Sequence, residues 1–102
     1  MIRHIVMWRV AGETPEAVSS AKATVKHEFE ALRGRIPGMR RLDVGIDVSG
    51  VDYACDAVLV ADFDSPGALE AYATHPEHLR VRKALGSLRT SRHQVDYVVD
   101  EM

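Results

Sequence analysis

Residues 69–80 read LEAYATHPEHLR, a stretch that places a tyrosine and two histidines around one proline. Proline is tolerated in the first turn of a helix, because the N–H that it lacks would have no partner there. Pro76 therefore predicts a helix start, with His75 at the cap and Tyr72 near the end of a preceding short helix. This junction could direct Tyr72 and His78 into one cavity, as hydrogen-bond donor and general base.

The flanking sequence alternates between strand and helix patterns. Four stretches show the two-residue period of β-strands: residues 2–10, 39–48, 55–63 and 92–99. Residues 15–33 instead carry an apolar stripe at three- and four-residue steps, which predicts a helix. Ser65 and Pro66 repeat the cap-and-proline start for a short helix ending near residue 72 or 73, and the helix from Pro76 is expected to extend to about residue 85.

The resulting order is β-α-β-β-α-β, with the second helical segment divided at His75 and Pro76. This is the ferredoxin-like arrangement of the α+β class, a four-stranded antiparallel sheet with its helices on one face. A chain of 102 residues fits one domain, residues 1–102. The uncovered sheet face would still carry apolar side chains such as Ile5, Met7 and Val58. We therefore expect a homodimer in which the two sheet faces pack together.

Composition and charge exclude several classes of protein. The net charge is −2, which leaves no basic field for nucleic acid, and an arginine cluster at positions 33, 35, 40 and 41 is expected to form a solvated rim. The single cysteine, Cys55, excludes an intramolecular disulfide. No apolar run approaches the roughly 20 residues that span a bilayer, and the first residues do not resemble a signal peptide. The expectation is a cytoplasmic protein with no membrane or nucleic-acid partner.

The histidines and Tyr72 admit both chemical and structural interpretations. A histidine titrates near neutrality and a phenol could donate to a developing enolate oxygen, so His78 and Tyr72 are the candidate catalytic pair. In the structural interpretation, Tyr72 packs in the core and His78 fixes the helix junction. His75 precedes a proline and is expected to act mainly as a cap or hinge. The His75-x-x-His78 spacing could hold a metal with Glu77 or His4, but it is one pair alone, so we expect no metal.

Two further residues of the first strand are candidates for contacts with a ligand. His4 and Trp8 share one strand face, and each either lines a pocket or belongs to the core. The aspartates at strand ends and turns are expected at the surface, although Asp62 could lie at the rim of a barrel. A glycine-rich phosphate loop, a nucleophile elbow and a haem or flavin signature are all absent from the sequence, so no cofactor is predicted.

Four segments, in this order along the chain, resemble those of the stress-responsive dimeric A/B barrel family: IRHIVMW at residues 2–8, IPGM at 36–39, DAVLVADFDS at 56–65 and YATHPEH at 72–78. The resemblance implies two ferredoxin-like protomers packed sheet to sheet as a barrel, with the helices outside. The family includes heat-stable stress proteins and one well-understood enzyme type, the plant polyketide cyclase of the olivetolic acid kind.

That cyclase closes a linear polyketide thioester into a resorcylic acid by aldol condensation, without a cofactor. By resemblance, its general base corresponds to His78 and its hydrogen-bonding tyrosine to Tyr72, while His4, Trp8 and His75 are candidate substrate-binding residues. A histidine that the cyclase carries in its third strand has no counterpart, because Ala57 stands there. This departure weakens a direct transfer of the cyclase activity.

The sequence thus predicts a homodimer with a small pocket for an aromatic or polyketide-like molecule and, as the sharper hypothesis, cofactor-independent acid–base chemistry. Two alternatives stay open. One is a non-catalytic structural or interaction protein associated with stress. The other is a cofactor-free monooxygenase of the same barrel fold.

Overall fold

The computed structural model describes residues 1–100, which form four strands and three helices in the predicted order. These elements are β1 (Ile2–Trp8), α1 (Pro15–Glu30), β2 (Met39–Ile46), β3 (Ala57–Phe63), α2 (Pro66–Ala73), α3 (Pro76–Leu85) and β4 (His93–Val98). The strands make one sheet in the order β2-β3-β1-β4, and every neighbouring pair is antiparallel. The ferredoxin-like α+β fold is confirmed.

All three helices start in the way that the sequence predicts. Each begins with a proline, and the residue before that proline accepts a hydrogen bond from a backbone N–H of the first turn: Thr14 in α1, Ser65 in α2 and His75 in α3. A side-chain acceptor here satisfies an N–H that the helix itself leaves unpaired. These caps fix where α2 ends and α3 begins, and they therefore fix the spacing of Tyr72 and His78.

Helix α1 and all four strands are shorter than their sequence patterns predict: β2 ends at Ile46 rather than at residue 48, β3 begins at Ala57 rather than at residue 55, and β4 spans His93–Val98 rather than 92–99. Helix α1 ends at Glu30 rather than near residue 33, because the following N–H groups of Leu32 and Arg33 bond three residues back and tighten the chain into a turn. Strand β1 ends at Trp8 rather than Val10. There the side chain of Asp56 accepts a hydrogen bond from the N–H of Val10 at 2.8 Å, and Val10 keeps only an isolated bridge to the last loop.

The helices cover one face of the sheet and leave the opposite face open in the protomer. His4, Val6 and Trp8 of β1 lie on the face that the helices cover and are buried with the core. The opposite face is open and presents Met7, Val95 and Tyr97, whose exposed fractions are 37%, 58% and 43%. The apolar open face that the alternation predicts is therefore present in the protomer.

Asp62 also lies on the open face, where it departs from the surface role expected of the aspartates. Its side chain is buried and accepts two hydrogen bonds from the Arg3 guanidinium, at 2.8 and 3.0 Å. These bonds lower the pKa of the Asp62 carboxyl, so it stays ionised. Its position in a central strand, opposite Arg3 in the register, explains the burial.

In the described part of the chain, none of the helices has the length and apolar character needed to cross a membrane.

Candidate functional site

A cavity of about 640 Å³ lies on the helix-covered side of the sheet. This volume falls within the range usual for small-molecule sites. Its walls come from β1, β3, all three helices and the loop that precedes β4: His4, Val6, Trp8, Phe29, Leu59, Tyr72, Ala73, His78, Arg82, Gly86, Arg89, Thr90, Ser91 and Arg92. Four of the residues singled out from the sequence, Tyr72, His78, His4 and Trp8, line this one cavity.

Tyr72 lies at the centre of an aromatic group on the cavity wall. Its ring centroid is 4.2 Å from that of His78, 5.1 Å from that of Phe63 and 6.2 Å from that of His4. The side chain is buried, yet its hydroxyl has no hydrogen-bond partner within residues 1–100. Burial raises the pKa of the phenol, so Tyr72 keeps its proton and can act only as a neutral donor or acceptor.

His78 is held in an orientation that suits a base. Its Nδ1 lies 3.1 Å from the carbonyl oxygen of Ala73. A carbonyl can only accept, so Nδ1 carries the hydrogen and Nε2 keeps a lone pair. Partial burial lowers the pKa of His78, and the guanidinium groups of Arg82 and Arg89 lower it too, so it falls below the ordinary value although the hydrogen bond to Ala73 acts in the opposite direction. The neutral, proton-accepting form is therefore the prevailing form at neutral pH.

His4 forms a second oriented imidazole, on the neighbouring strand. Its Nδ1 lies 2.5 Å from a carboxylate oxygen of Asp96, the residue directly opposite it in the pairing of β1 with β4. The other Asp96 oxygen accepts a hydrogen bond from the Gln94 side chain at 2.8 Å. The carboxylate thus fixes Nδ1 of His4 as a donor and leaves Nε2 as the nitrogen free for a ligand.

Trp8 and Phe29 form an aromatic platform in the same cavity. Their rings stack with centroids 4.9 Å apart, and the Arg89 guanidinium lies 5.3 Å from the Trp8 centroid and 5.4 Å from that of Phe29. The indole Nε1 is buried and lacks a hydrogen-bond partner in the described part of the chain. Trp8 therefore supplies both an apolar surface and an unused donor.

His75 is the candidate that the structure does not bring to the cavity wall. Its Nδ1 accepts a hydrogen bond from the Glu77 N–H at 3.1 Å and caps α3, as the pre-proline position indicates. The Nδ1 atoms of His75 and His78 are thus occupied by separate backbone groups. Among residues 1–100 there is no cluster of three or more histidine, cysteine or acidic side chains that could hold a metal.

Sequence reasoning missed five residues of this site. Asp96 could have been found by pairing the first and last strands of the ferredoxin order and matching residues from their ends. The other four residues carry no local sequence signal for a site. Phe29 belongs to the apolar stripe of α1, which predicts a core position, and three arginines are distributed over the end of α3 and the following loop: Arg82, Arg89 and Arg92.

The chain matches the family model described as the Stress responsive A/B Barrel Domain over residues 2–99. Among solved structures, it is similar to a dimeric ferredoxin-like protein of unknown function from Bacteroides fragilis, with 31% identity, a TM-score of 0.82, and coverage of 94% of this chain and 93% of that one. A dimeric ferredoxin-like protein from Thermobifida fusca shares 25% identity at a TM-score of 0.79, with 96% and 90% coverage.

The chain is also similar to a hydroxynitrile lyase from Passiflora edulis, with a TM-score of 0.78, 16% identity, and coverage of 99% of this chain and 94% of that one. At this identity the similarity shows a common fold alone. The search of curated proteins found no match.

Proposed function

The chain belongs to the stress responsive A/B barrel domain family, and we propose that it acts as a homodimer. Each protomer binds a small carbonyl compound and catalyses, without a cofactor, proton transfer at the carbon next to the carbonyl. The ligand class is aromatic or polyketide-like. His78 is the general base, Tyr72 is the hydrogen-bond donor, and His4 and Trp8 contact the substrate.

One observation carries the proposal: a neutral imidazole with a free Nε2 lies against a phenol whose hydroxyl has no partner in residues 1–100, with the two ring centroids 4.2 Å apart in a cavity of about 640 Å³. Among residues 1–100, neither atom is a buried polar atom without a partner, so both are open to the cavity, where a ligand can reach a donor and an acceptor side by side.

The chemistry follows from these two groups. Nε2 of His78 removes a proton from the carbon next to the carbonyl, and the electron pair of the broken C–H bond moves to form the enolate. The O–H of Tyr72 donates a hydrogen bond to the enolate oxygen, where negative charge develops. The imidazolium then returns its proton to the carbon. Alternatively, the enolate carbon attacks a second carbonyl of the same molecule and closes a ring, and the imidazolium gives its proton to the alkoxide oxygen that forms.

The open sheet face supports the dimer. Met7, Val95 and Tyr97 are exposed there and form an apolar surface in a chain of only 102 residues. The Bacteroides fragilis protein, at 31% identity, is described as dimeric. We expect light scattering to give the mass of a dimer at micromolar concentration. A monomer at that concentration would contradict this part of the proposal.

The catalytic part is tested by hydrogen–deuterium exchange at the methyl group of 4-acetylbenzamide, followed by NMR in D2O. This compound is uncharged, and its methyl protons exchange slowly without a catalyst. We expect the protein to accelerate the exchange, His78→Ala to abolish the acceleration, and Tyr72→Phe to reduce it by about 10- to 100-fold. His27→Ala, which removes an exposed histidine of α1, is the matched control and should leave the rate unchanged.

Binding of 4-acetylbenzamide in the cavity without any exchange would overturn the catalytic proposal. The cavity would then belong to a non-catalytic binding protein of the same family.

A further inference from the structure

We infer that the ligand of this cavity carries an anionic oxyacid group, a carboxylate or a phosphate, which binds to a cluster formed by Arg82, Arg89 and Arg92. This inference rests on the proposed function, because it names the class of substrate that the Tyr72–His78 site receives. We call these three arginines the unpaired cluster.

All three members of the unpaired cluster line the cavity, whose lining residues include no aspartate or glutamate. In residues 1–100, none of the three has a carboxylate within 4.0 Å. Most other arginines of the chain do have such a partner: Arg3, Arg33, Arg35, Arg40, Arg41 and Arg80. Arg9 is the other exception, and it donates to the backbone carbonyl of Asp52 at 2.8 Å, so the cavity holds three of the four arginines that lack a carboxylate partner in residues 1–100.

Arg89 is the member whose situation most requires an anion. It is partly buried and its guanidinium lies over the Trp8 and Phe29 rings, at 5.3 and 5.4 Å from their centroids. Burial lowers the pKa of this arginine, and the positive charges of Arg82 and Arg92 lower it further. Taking a cation out of water beside two like charges is unfavourable unless an opposite charge joins them. A bound anion would supply that charge.

The chemistry of the guanidinium selects the type of anion. Its planar array of N–H groups matches the two oxygens of a carboxylate or two oxygens of a phosphate, and such charge-assisted hydrogen bonds are stronger than neutral ones. The rings of Trp8 and Phe29 beside Arg89 are almost fully buried and give this part of the cavity an apolar wall, which favours an apolar portion of the ligand next to the acid. The carbonyl that reacts would then extend towards Tyr72 and His78, on the same cavity wall.

Isothermal titration calorimetry with a matched set of probes tests the inference: 4-acetylbenzoate, 4-acetylbenzamide and 4-acetylphenyl phosphate. These compounds share the ring and ketone and differ in the polar group. We expect at least one of the two anions to bind about tenfold or more tightly than the amide. The preferred anion, carboxylate or phosphate, identifies the acid group of the natural ligand.

Variants locate the effect. Arg89→Gln and Arg92→Gln should each reduce the preference for the anion about tenfold, while leaving the affinity for the amide within about twofold. Arg80→Gln is the matched control, since Arg80 lies on α3 with Arg82 but pairs with Glu77 at 3.0 Å and is not part of the cavity wall. It should keep the full preference. Circular dichroism establishes that each variant is folded, and Arg92, being exposed, provides a substitution with little packing to lose.

The inference and the proposed function fail in different ways. Equal affinity for both anions and the amide would overturn the inference, and His78-dependent exchange of the amide would still support the proposed function. A clear anion preference that depends on Arg89, with no exchange of any probe, would support the inference about the ligand and overturn catalysis. A preference that Arg80→Gln removes as effectively as Arg89→Gln would place the anion elsewhere and overturn the inference.

Discussion

Two groups of arginines occupy opposite situations in this molecule. One group, the paired cluster of Arg33, Arg40 and Arg41, lies around β2, and each member bonds a carboxylate: Arg33 to Glu30 and Asp43, Arg40 to Asp64, and Arg41 to Asp43. The unpaired cluster lies at a cavity that also holds Tyr72 and His78, and its members have no carboxylate partner within residues 1–100.

The contrast means that the number of arginines in a region predicts anion binding less well than their pairing with carboxylates does. In the paired cluster the charges are neutralised within the protein, so a second cavity of about 360 Å³ that adjoins these residues has little charge left to attract an anion. In the unpaired cluster the folded chain leaves the charges uncompensated. A protein of net charge −2 that concentrates free positive charge in one cavity has a site suited to an acid.

The largest expected effect is on the free energy of unfolding, when a buried side chain is removed from either region. Phe29→Ala removes the platform under Arg89 and should lower the free energy of unfolding by about 3–5 kcal/mol, because Phe29 is buried and stacks on Trp8. Leu42→Ala, in the strand of the paired cluster, should lower it by about 2–5 kcal/mol. Urea denaturation measures both values.

Only one of these two variants should lose the ligand. Titration of the folded proteins with 4-acetylbenzoate should show weaker binding for Phe29→Ala and unchanged binding for Leu42→Ala. Equal losses in both variants would mean that binding follows overall stability rather than the platform.

A smaller effect on the free energy of unfolding is expected when one arginine of each cluster loses its charge. Arg33→Gln removes contacts to Glu30 and Asp43, together with a hydrogen bond to the Leu42 carbonyl, and should lower the free energy of unfolding by about 1 kcal/mol. Arg89→Gln should cost less than this, because relief from Arg82 and Arg92 offsets the lost contact with the aromatic rings. Thermal and urea unfolding at low salt compare the two. A larger loss for Arg89→Gln would show that Arg89 serves stability.

The pKa of His78 should respond to the unpaired cluster and not to the paired cluster. Burial and the charges of Arg82 and Arg89 place this pKa below the ordinary histidine value of 6.5. Arg89→Gln should raise it, because one of the charges that lower it is removed, whereas Arg41→Gln in the paired cluster should leave it unchanged. NMR titration of the imidazole signals measures these shifts. A pKa of 6.5 or above in the unsubstituted protein would remove the neutral base from the mechanism.

The same shift fixes the sign of a pH effect on stability. The unfolded chain protonates His78 near 6.5, while the folded protein resists until a lower pH. The contribution of His78 to stability is therefore complete above pH 6.5 and is lost as the pH falls through the pKa of the folded state. His78→Gln should flatten this part of the stability profile. A profile identical to that of the unsubstituted protein would show that other groups cause the decline.

The fold could be predicted from sequence because its signals are local. Thr14-Pro15, Ser65-Pro66 and His75-Pro76 each mark a helix start through a side chain that caps the next turn, and two-residue alternation marks the strands. The ends of β1 and α1 were less predictable, since they depend on Asp56 and on a tightened turn that no periodicity encodes.

The site could be predicted only in part, for the same physical reason. Tyr72, His78 and His4 carry recognisable chemistry, and strand parity and helix spacing bring them to one wall. The partner of His4, Asp96, is 92 positions away and becomes visible only through the register of β1 and β4. The unpaired cluster is defined by absent partners, and an arginine in a sequence gives no indication of whether a carboxylate will lie beside it.

The unpaired cluster and the Tyr72–His78 pair form the two ends of one proposed site. A crystal structure of the protein with 4-acetylbenzoate tests this most directly. It should show the carboxylate hydrogen-bonded to Arg89 or Arg92, and the ketone oxygen about 3 Å from the Tyr72 hydroxyl. A molecule bound at the paired cluster, or one held in the cavity with its carboxylate away from all three arginines, would contradict the account.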